Sequence, residues 1–405
     1  MRKLCAFVLV LCLVIFPCFV VSADKTDQET ISSIKTLQVP EKEIDYANSL
    51  LEMKKINKNS LKMIISCYKS FVESQVSNDK TASWDESTTI QKSYLTYDVN
   101  NEVNGLILDL STKNKDSGYI RFMISPNKKE FDLVEFGYDG KYTIYGKTID
   151  EYPILEKDKI VSAGLFDFYI KNENQLFSID KQNNITKFMD EIKEKTDLQN
   201  KCVLESPNKI SLYEEKKTLE QIVYVDKNIP NLFKKGYLPV TMSEMDWGAV
   251  CAPTCGVNIL KYWKECRGVS NLYYLNSVKE TFDELKKFMH TDKDSGTGQT
   301  EAFYGMKEYL KNRSKTPALG SDFYNGFEWY WFRDNINNGN LVFIAASLKP
   351  YNGKYGGHAF SGVGYQICNN GNYIRVGDQW DKSYSHFYKE VYLNYIYSMW
   401  YLRWK

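Results

Sequence analysis

Histidine is the scarcest reactive residue here: the 405 residues hold three, His290, His358 and His386. Any reaction that needs an imidazole base must draw on them. Proline is sparse too, at 10, whereas tyrosine reaches 30. That balance argues against disorder and for ordered, sheet-rich structure. Net charge is close to nil, at +1, which excludes an electrostatic case for nucleic acid or an anionic membrane surface. A phosphate-cradling loop is missing as well. Ser295-Gly-Thr-Gly298 is short and lacks the Lys-Ser/Thr that follows in such loops. Neither a cofactor nor a metal is expected.

Long apolar runs are limited to one. Arg2 and Lys3 precede a stretch from Leu4 to Val21, and Val21-Ser22-Ala23 supplies small residues ahead of Asp24. This pattern predicts a secretory signal peptide over residues 1–23. A retained anchor competes, since the run is about 18 residues, near the spanning threshold; the small-residue site favours cleavage. Cys18 does not make a lipoprotein site, because Ile15-Phe16-Pro17 lacks the small residues a lipobox needs. The expected mature protein is secreted, extracellular or cell-wall associated, with no membrane span.

The length leaves room for two domains. Residues 41 to 76 read as helical, with Ile44, Ala47, Leu50 and Leu51 on one face and Leu61, Ile64, Ile65, Tyr68 and Phe71 on another. Short segments rich in Tyr, Ile, Val and Phe follow: Ser93–Val99, Leu106–Leu110, Tyr119–Ile124, Leu133–Phe136 and Tyr142–Tyr145. Asn, Gly, Asp and Lys clusters separate them, which predicts an antiparallel sheet. Ile185–Lys195 reads as a helix with Asn184 as its cap. Residues 205 to 236 are polar, and the domain boundary is placed at their end, giving residues 24–235 and 236–405. The second domain reads as helices first (around Cys251, Ser277–Met289 and Thr300–Leu310), then strands (Leu341–Ser347, Ala359–Tyr365, Tyr373–Val376). Both domains are therefore expected to be α+β.

Six cysteines remain beyond the leader: Cys67, Cys202, Cys251, Cys255, Cys266 and Cys368. An even number permits disulfides, but their pairing is not legible. Cys251 is distinctive. It opens Cys251-Ala-Pro-Thr-Cys-Gly-Val-Asn-Ile-Leu-Lys-Tyr-Trp263, where Pro253 suits a first helical turn and Cys255, Ile259, Leu260 and Trp263 recur at helical spacing. A thiol at a helix N-terminus faces free N–H groups and the positive end of the dipole, so a lowered pKa is expected. His358, in Gly356-Gly-His-Ala-Phe360, sits at the mouth of a strand. Asp378, in Tyr373-Ile-Arg-Val-Gly-Asp378-Gln-Trp380, ends the next one. Antiparallel neighbours would bring the two together, giving a Cys251, His358, Asp378 triad in which the base is oriented by a third group.

Blander readings exist for each residue alone. A lone buried cysteine usually acts as a small hydrophobe, a lone strand-edge histidine is usually structural, and an Asp before Trp can merely make a turn. Their joint order and placement favour the triad. His290, after an amphipathic helix, reads as a surface residue, and His386 as packing. Zinc is disfavoured: Cys251 and Cys255 are four apart, but Cys266 and Cys368 are isolated from any histidine.

The Cys251–Trp263 motif resembles the one that opens the helix of bacteriocin-processing-type (double-glycine leader) peptidase-like domains of the papain-like clan. Gly357-His-Ala359 with Val363-Gly-Tyr365 is similar to their histidine motif, Val376-Gly-Asp-Gln-Trp380 to the strand carrying their Asp, and Thr297–Tyr309 to a segment of secreted members. The resemblance runs from Tyr237 to the end. It implies a papain-like fold, helices packed on an antiparallel sheet, with Cys251 as nucleophile, His358 as general base and Asp378 as its orienter. The implied reaction is peptide-bond hydrolysis of a peptide or protein substrate through a thioester acyl-enzyme. Two positions depart: Cys-Gly-Pro has become Cys-Ala-Pro, and the Gln about six residues before the Cys, an oxyanion donor in the family, is absent from Thr241–Val250. Ser243 and Trp247 are the residues placed to substitute. The departure keeps open a non-catalytic peptide-binding module; a cell-wall peptide amidase or acyl transferase with the same triad is a further alternative. Gly118–Ile124 followed by Asp132–Phe136 is weakly similar to the inhibitory pro-regions of streptopain-like enzymes. The N-terminal region is expected either to bind the C-terminal cleft in cis as a removable propeptide or to stay as a binding module.

Overall fold

The computed structural model describes residues 58–404 apart from 80, 128–129, 156, 180, 207–209, 212–222, 234–236, 247, 293, 314–322, 352–353 and 394–395. The expected signal peptide, the helical face around Ile44–Leu51, and Trp247 fall outside these residues. No helix among the described residues is long and apolar enough to cross a membrane.

The described residues open with helix α1 (Lys58–Asn78), whose Ile64, Ile65, Tyr68 and Phe71 are buried as their spacing predicts. A meander of antiparallel strands follows: β1 (Thr89–Tyr97), β2 (Val103–Thr112), β3 (Lys115–Ile124) and β4 (Glu130–Gly137). Turns at Asn101, Lys113 and Asn114 adopt left-handed φ, which short polar and flexible residues tolerate best. The hairpin β5 (Thr143–Ile144) and β6 (Lys147–Thr148) stands off the sheet, and β7 (Lys159–Ser162), β8 (Phe168–Asn172) and β9 (Gln175–Ser178) extend it beyond β1. Helix α2 (Met189–Glu205) comes next, preceded by a turn in which Asn184 Oδ1 accepts from the Thr186 N–H.

In the second half β10 (Ile210–Ser211) and β11 (Val223–Asn228) precede four helices: α3 (Met242–Met245), α4 (Cys251–Lys261), α5 (Val278–Phe288) and α6 (Gln299–Asn312). Strand β12 (Phe323–Asn325) and helix α7 (Trp329–Asn337) lead into β13 (Val342–Tyr351), β14 (Lys354–Cys368), β15 (Gly371–Gly377), β16 (His386–Lys389) and β17 (Ile396–Tyr401). The class is therefore α+β, with one large sheet and several helices.

The sheet runs in the order β12-β17-β13-β14-β15-β16-β4-β3-β2-β1-β7-β8-β9. Its central seam is the antiparallel pair β16 and β4, with His386 opposite Gly137 and Phe387 opposite Phe136. The rings of Phe136 and Phe387 stack there at 4.4 Å. The sheet is thus continuous across residue 236, and β11 on the N-terminal side of that point pairs with β14. The largest apolar core likewise mixes Met123, Val134, Phe166 and Val203 with the helices and strands of the second half.

Buried charges cross the same seam. Lys389 Nζ is bonded to Asp132, which also accepts from the Tyr392 hydroxyl at 3.0 Å. The Arg375 guanidinium reaches Asp79 at 3.5 Å and Thr81 at 2.8 Å. Each of these cations is almost wholly buried, so its partner is required to offset desolvation.

Candidate active site

Helix α4 is the central element of the second half. Residues 252–260 are all buried, because the helix lies between β14 and the pair α5 and α6. Gly256 permits that packing: a methyl group there would meet Met289 and Met306 at 3.0 Å. Pro253 falls in the first turn, and the Thr254 hydroxyl caps back onto the Val250 carbonyl. Cys251 is the first helical residue and is half-buried, so its thiol stands at the helix end. Cys255, one turn on, is fully buried with its Sγ 3.4 Å from Ser361 Oγ, a core contact with β14.

The thiol of Cys251 points at the His358 strand. Its Sγ lies 3.9 Å from the carbonyl oxygen of Gly357. Burial raises its pKa above the ordinary value, against opposing backbone N–H bonds that include those of Ala252 and Cys251 itself. The expected lowering by the helix end is therefore outweighed by loss of water.

His358 is almost fully buried on β14, opposite Ala346 of β13. Its Nε2–H donates to the backbone carbonyl of Asp378 at 2.7 Å. That bond fixes the tautomer and leaves Nδ1 as the ring's lone pair. The imidazole is covered by Trp380, whose ring stacks on it at 4.4 Å and 12°. Burial brings the His358 pKa down to about 4, the bond to Asp378 opposing. Thiol and imidazole are consequently both neutral near pH 7. No hydrogen bond joins the two side chains among the described residues.

Asp378 is brought to His358, but by its carbonyl. Its carboxylate turns away: Oδ1 accepts from the Trp380 N–H at 3.0 Å, Oδ2 faces the Tyr388 hydroxyl at 3.4 Å, and His386 Nε2 lies 3.8 Å off. The carboxylate thus shapes the 378–380 turn that places both the carbonyl and the Trp380 ring against His358. Gln379 takes a left-handed φ of 70° in that turn. Its Nε2 anchors to the Ala359 carbonyl at 2.8 Å.

His386 carries more than packing. Nδ1 bonds the Tyr119 hydroxyl at 3.0 Å and Nε2 the Asp381 carboxylate at 3.1 Å. Burial works against its charge, yet Asp378 and Asp381 together raise its pKa to about 10, so it is an imidazolium at neutral pH. Asp378, Asp381 and His386 are close enough to hold a cation, but the protonated ring already supplies the positive charge. His290 is exposed, at a left-handed φ of 49° after α5.

Sequence reasoning passed over Tyr397. Its hydroxyl lies against Gly357, where a methyl group would come within 3.0 Å of it. It is also near enough to Cys251 for the thiolate's charge to act on it. Its place on β17, remote in sequence from both motifs, gave no local signal. Of the suggested oxyanion substitutes, Ser243 Oγ bonds Thr241 Oγ1 at 2.9 Å.

The Cys251 thiol stands at a helix end beside the antiparallel strand that carries the tautomer-fixed His358. Residues 213–404 match the family model described as Peptidase_C39 like family. The match supports a C39-type cysteine peptidase domain over this stretch, and the α+β architecture fits a papain-like fold. No curated protein matches the chain.

Proposed function

We propose that residues 213–404 carry a cysteine peptidase in which Cys251 is the nucleophile and His358 the general base, with Asp378 as the orienting residue. The observation that carries the reading is the position of the Cys251 thiol beside the His358 strand, with His358 Nε2 tied to the Asp378 carbonyl. The thiol gives its proton to His358 Nδ1 as Sγ attacks the peptide carbonyl. The oxyanion takes a hydrogen bond from the Cys251 backbone N–H. The imidazolium then protonates the leaving amine, and a thioester remains on Cys251. Water, deprotonated by the same ring, attacks the thioester and restores the thiol. Because both partners rest neutral, proton transfer accompanies attack; there is no standing thiolate–imidazolium pair.

The substrate is a peptide or protein, and the apolar N-terminal run supports export, with action outside the cell or at the wall. Cys251→Ala is expected to remove peptide turnover and labelling by a thiol-reactive peptide probe while the fold is retained; unchanged labelling would sink the proposal. Two observations favour a second reading. The missing upstream Gln and the neutral thiol suit a peptide-binding module without turnover, and turnover lost in His358→Ala would exclude it. An amidase or transferase on cell-wall peptides is separated by comparing release from peptidoglycan fragments with release from unstructured protein.

A further inference from the structure

We propose that the N-terminal half is a permanent, working part of this active site, and that Tyr119 and Phe166 are positioning residues for His358. The proposal rests on the Cys251 and His358 reading above and names what holds the base.

Two routes run from the N-terminal strands to the imidazole. One passes through Trp380, which stacks on His358. Trp380 is packed in turn by Tyr145 at 5.9 Å and Phe166 at 6.4 Å, both edge-on. These two are tied together by the Tyr145 hydroxyl on the Phe166 carbonyl at 2.8 Å. Phe166 also packs on Phe360 at 5.7 Å, itself stacked near His358.

The other route is polar. Arg121 holds Glu135 at 3.1 Å, and Glu135 Oε1 accepts from the Tyr119 hydroxyl at 2.9 Å. Tyr119 Oη accepts in turn from His386 Nδ1–H at 3.0 Å, while His386 Nε2–H donates to Asp381. His386 sits 3.8 Å from the Asp378 carboxylate, and Asp378 supplies the carbonyl that fixes the base. Each hydroxyl and ring nitrogen in this chain has its donor and acceptor roles set by its neighbours, so the line has one hydrogen-bonding arrangement.

The buried pairs Lys389 with Asp132 and Arg375 with Asp79 bind the halves in the same way. Departure of the N-terminal half would strip Lys389 and Arg375 of their buried carboxylate partners and would uncover an unpaired β16 edge. A detachable inhibitor has no need of such contacts. A positioning domain does.

The test uses the full-length chain. Tyr119→Phe removes one hydroxyl without changing ring volume, and Phe166→Leu loosens the other route. For each, kcat and KM on a peptide are measured, with the rate of Cys251 alkylation by iodoacetamide across pH and a thermal melt. We expect folded variants with kcat reduced by at least about tenfold, KM little changed, and a displaced alkylation profile, because small misplacements of a base cost rate more than binding. Folded variants with the parent's kcat and the parent's alkylation profile overturn the proposal. So does a naturally trimmed form beginning near residue 236 that keeps full turnover. Should the parent cleave no peptide, the peptidase reading falls by itself, and the alkylation profiles still decide whether Tyr119 and Phe166 position the ring. Should Tyr119→Phe not fold, Phe166→Leu decides.

Discussion

A neutral thiol and a neutral imidazole have a pH signature. Burial raises the Cys251 pKa and lowers that of His358 to about 4. Alkylation of Cys251, followed by mass spectrometry of its peptide, should therefore accelerate with pH past the ordinary thiol range. A plateau between pH 5 and 8 would indicate a standing ion pair and contradict this. Gly357 invites a second measurement. A methyl group there would press on the Tyr397 hydroxyl at 3.0 Å and the Ala346 carbonyl at 3.3 Å. Gly357→Ala should lower turnover with little effect on the melting temperature, since the crowding falls beside the thiol and outside the core. Cys251, His358 and Asp378 could be named as candidates because each sits in a short motif; Cys251 and Asp378 stand at element ends, whereas His358 lies inside β14 and not at its mouth. The use of Asp378's carbonyl was not legible, because it depends on a turn whose φ at Gln379 is left-handed. Nor was the charge on His386, which depends on Tyr119 from a remote strand.

Helix α6 meets the C-terminal end of α5 with almost no space between their backbones. At Gly305 a methyl group would lie 2.6 Å from the Met289 Cα and the Phe288 carbonyl. Backbone cannot yield as a side-chain tip can. Gly305→Ala should destabilise the fold by about 1–3 kcal/mol, read as a lower midpoint in urea with an unchanged slope. An unshifted midpoint would mean that α5 and α6 are free to separate. Sequence periodicity found these helices, as it found β1 to β4, because one face of each is apolar. It passed over α7, where Trp329, Tyr330, Trp331 and Phe332 run together and hide the period; Glu328 starts that helix by accepting from the Tyr330 and Trp331 N–H groups. β11 was hidden too, since its burial is only partial and its short Val-Tyr-Val run gives way to Asp-Lys-Asn.

At the scale of the molecule, the seam between β16 and β4 sets how stability varies with pH. His386 has its pKa raised from 6.5 to about 10, so its contribution is fully present below pH 6.5 and is lost as pH rises toward 10. His358 works in the opposite sense: its lowered pKa adds stability that is present above pH 6.5 and lost as pH falls toward 4. Chemical denaturation at a series of pH values should give a maximum near neutrality. In His386→Gln the alkaline decline between pH 6.5 and 10 should flatten; an unchanged decline would assign it to other groups. The α+β class of each half was legible from its own pattern. Their union in one sheet was not, since pairing between β4 and β16 leaves no local trace in either segment.

That union also sets a clock. Tyr119 and His386 are 267 residues apart in the chain, and β17, which carries Tyr397, follows both. Contacts of such long range form late, because the loop between them must close before they bring any gain. A growing chain therefore holds its cysteine and its base for some time without the strands that align them. On the peptidase reading proposed above, the Cys251–His358 arrangement is completed only once these distant strands have paired, so topology alone restrains the emerging chain's chemistry.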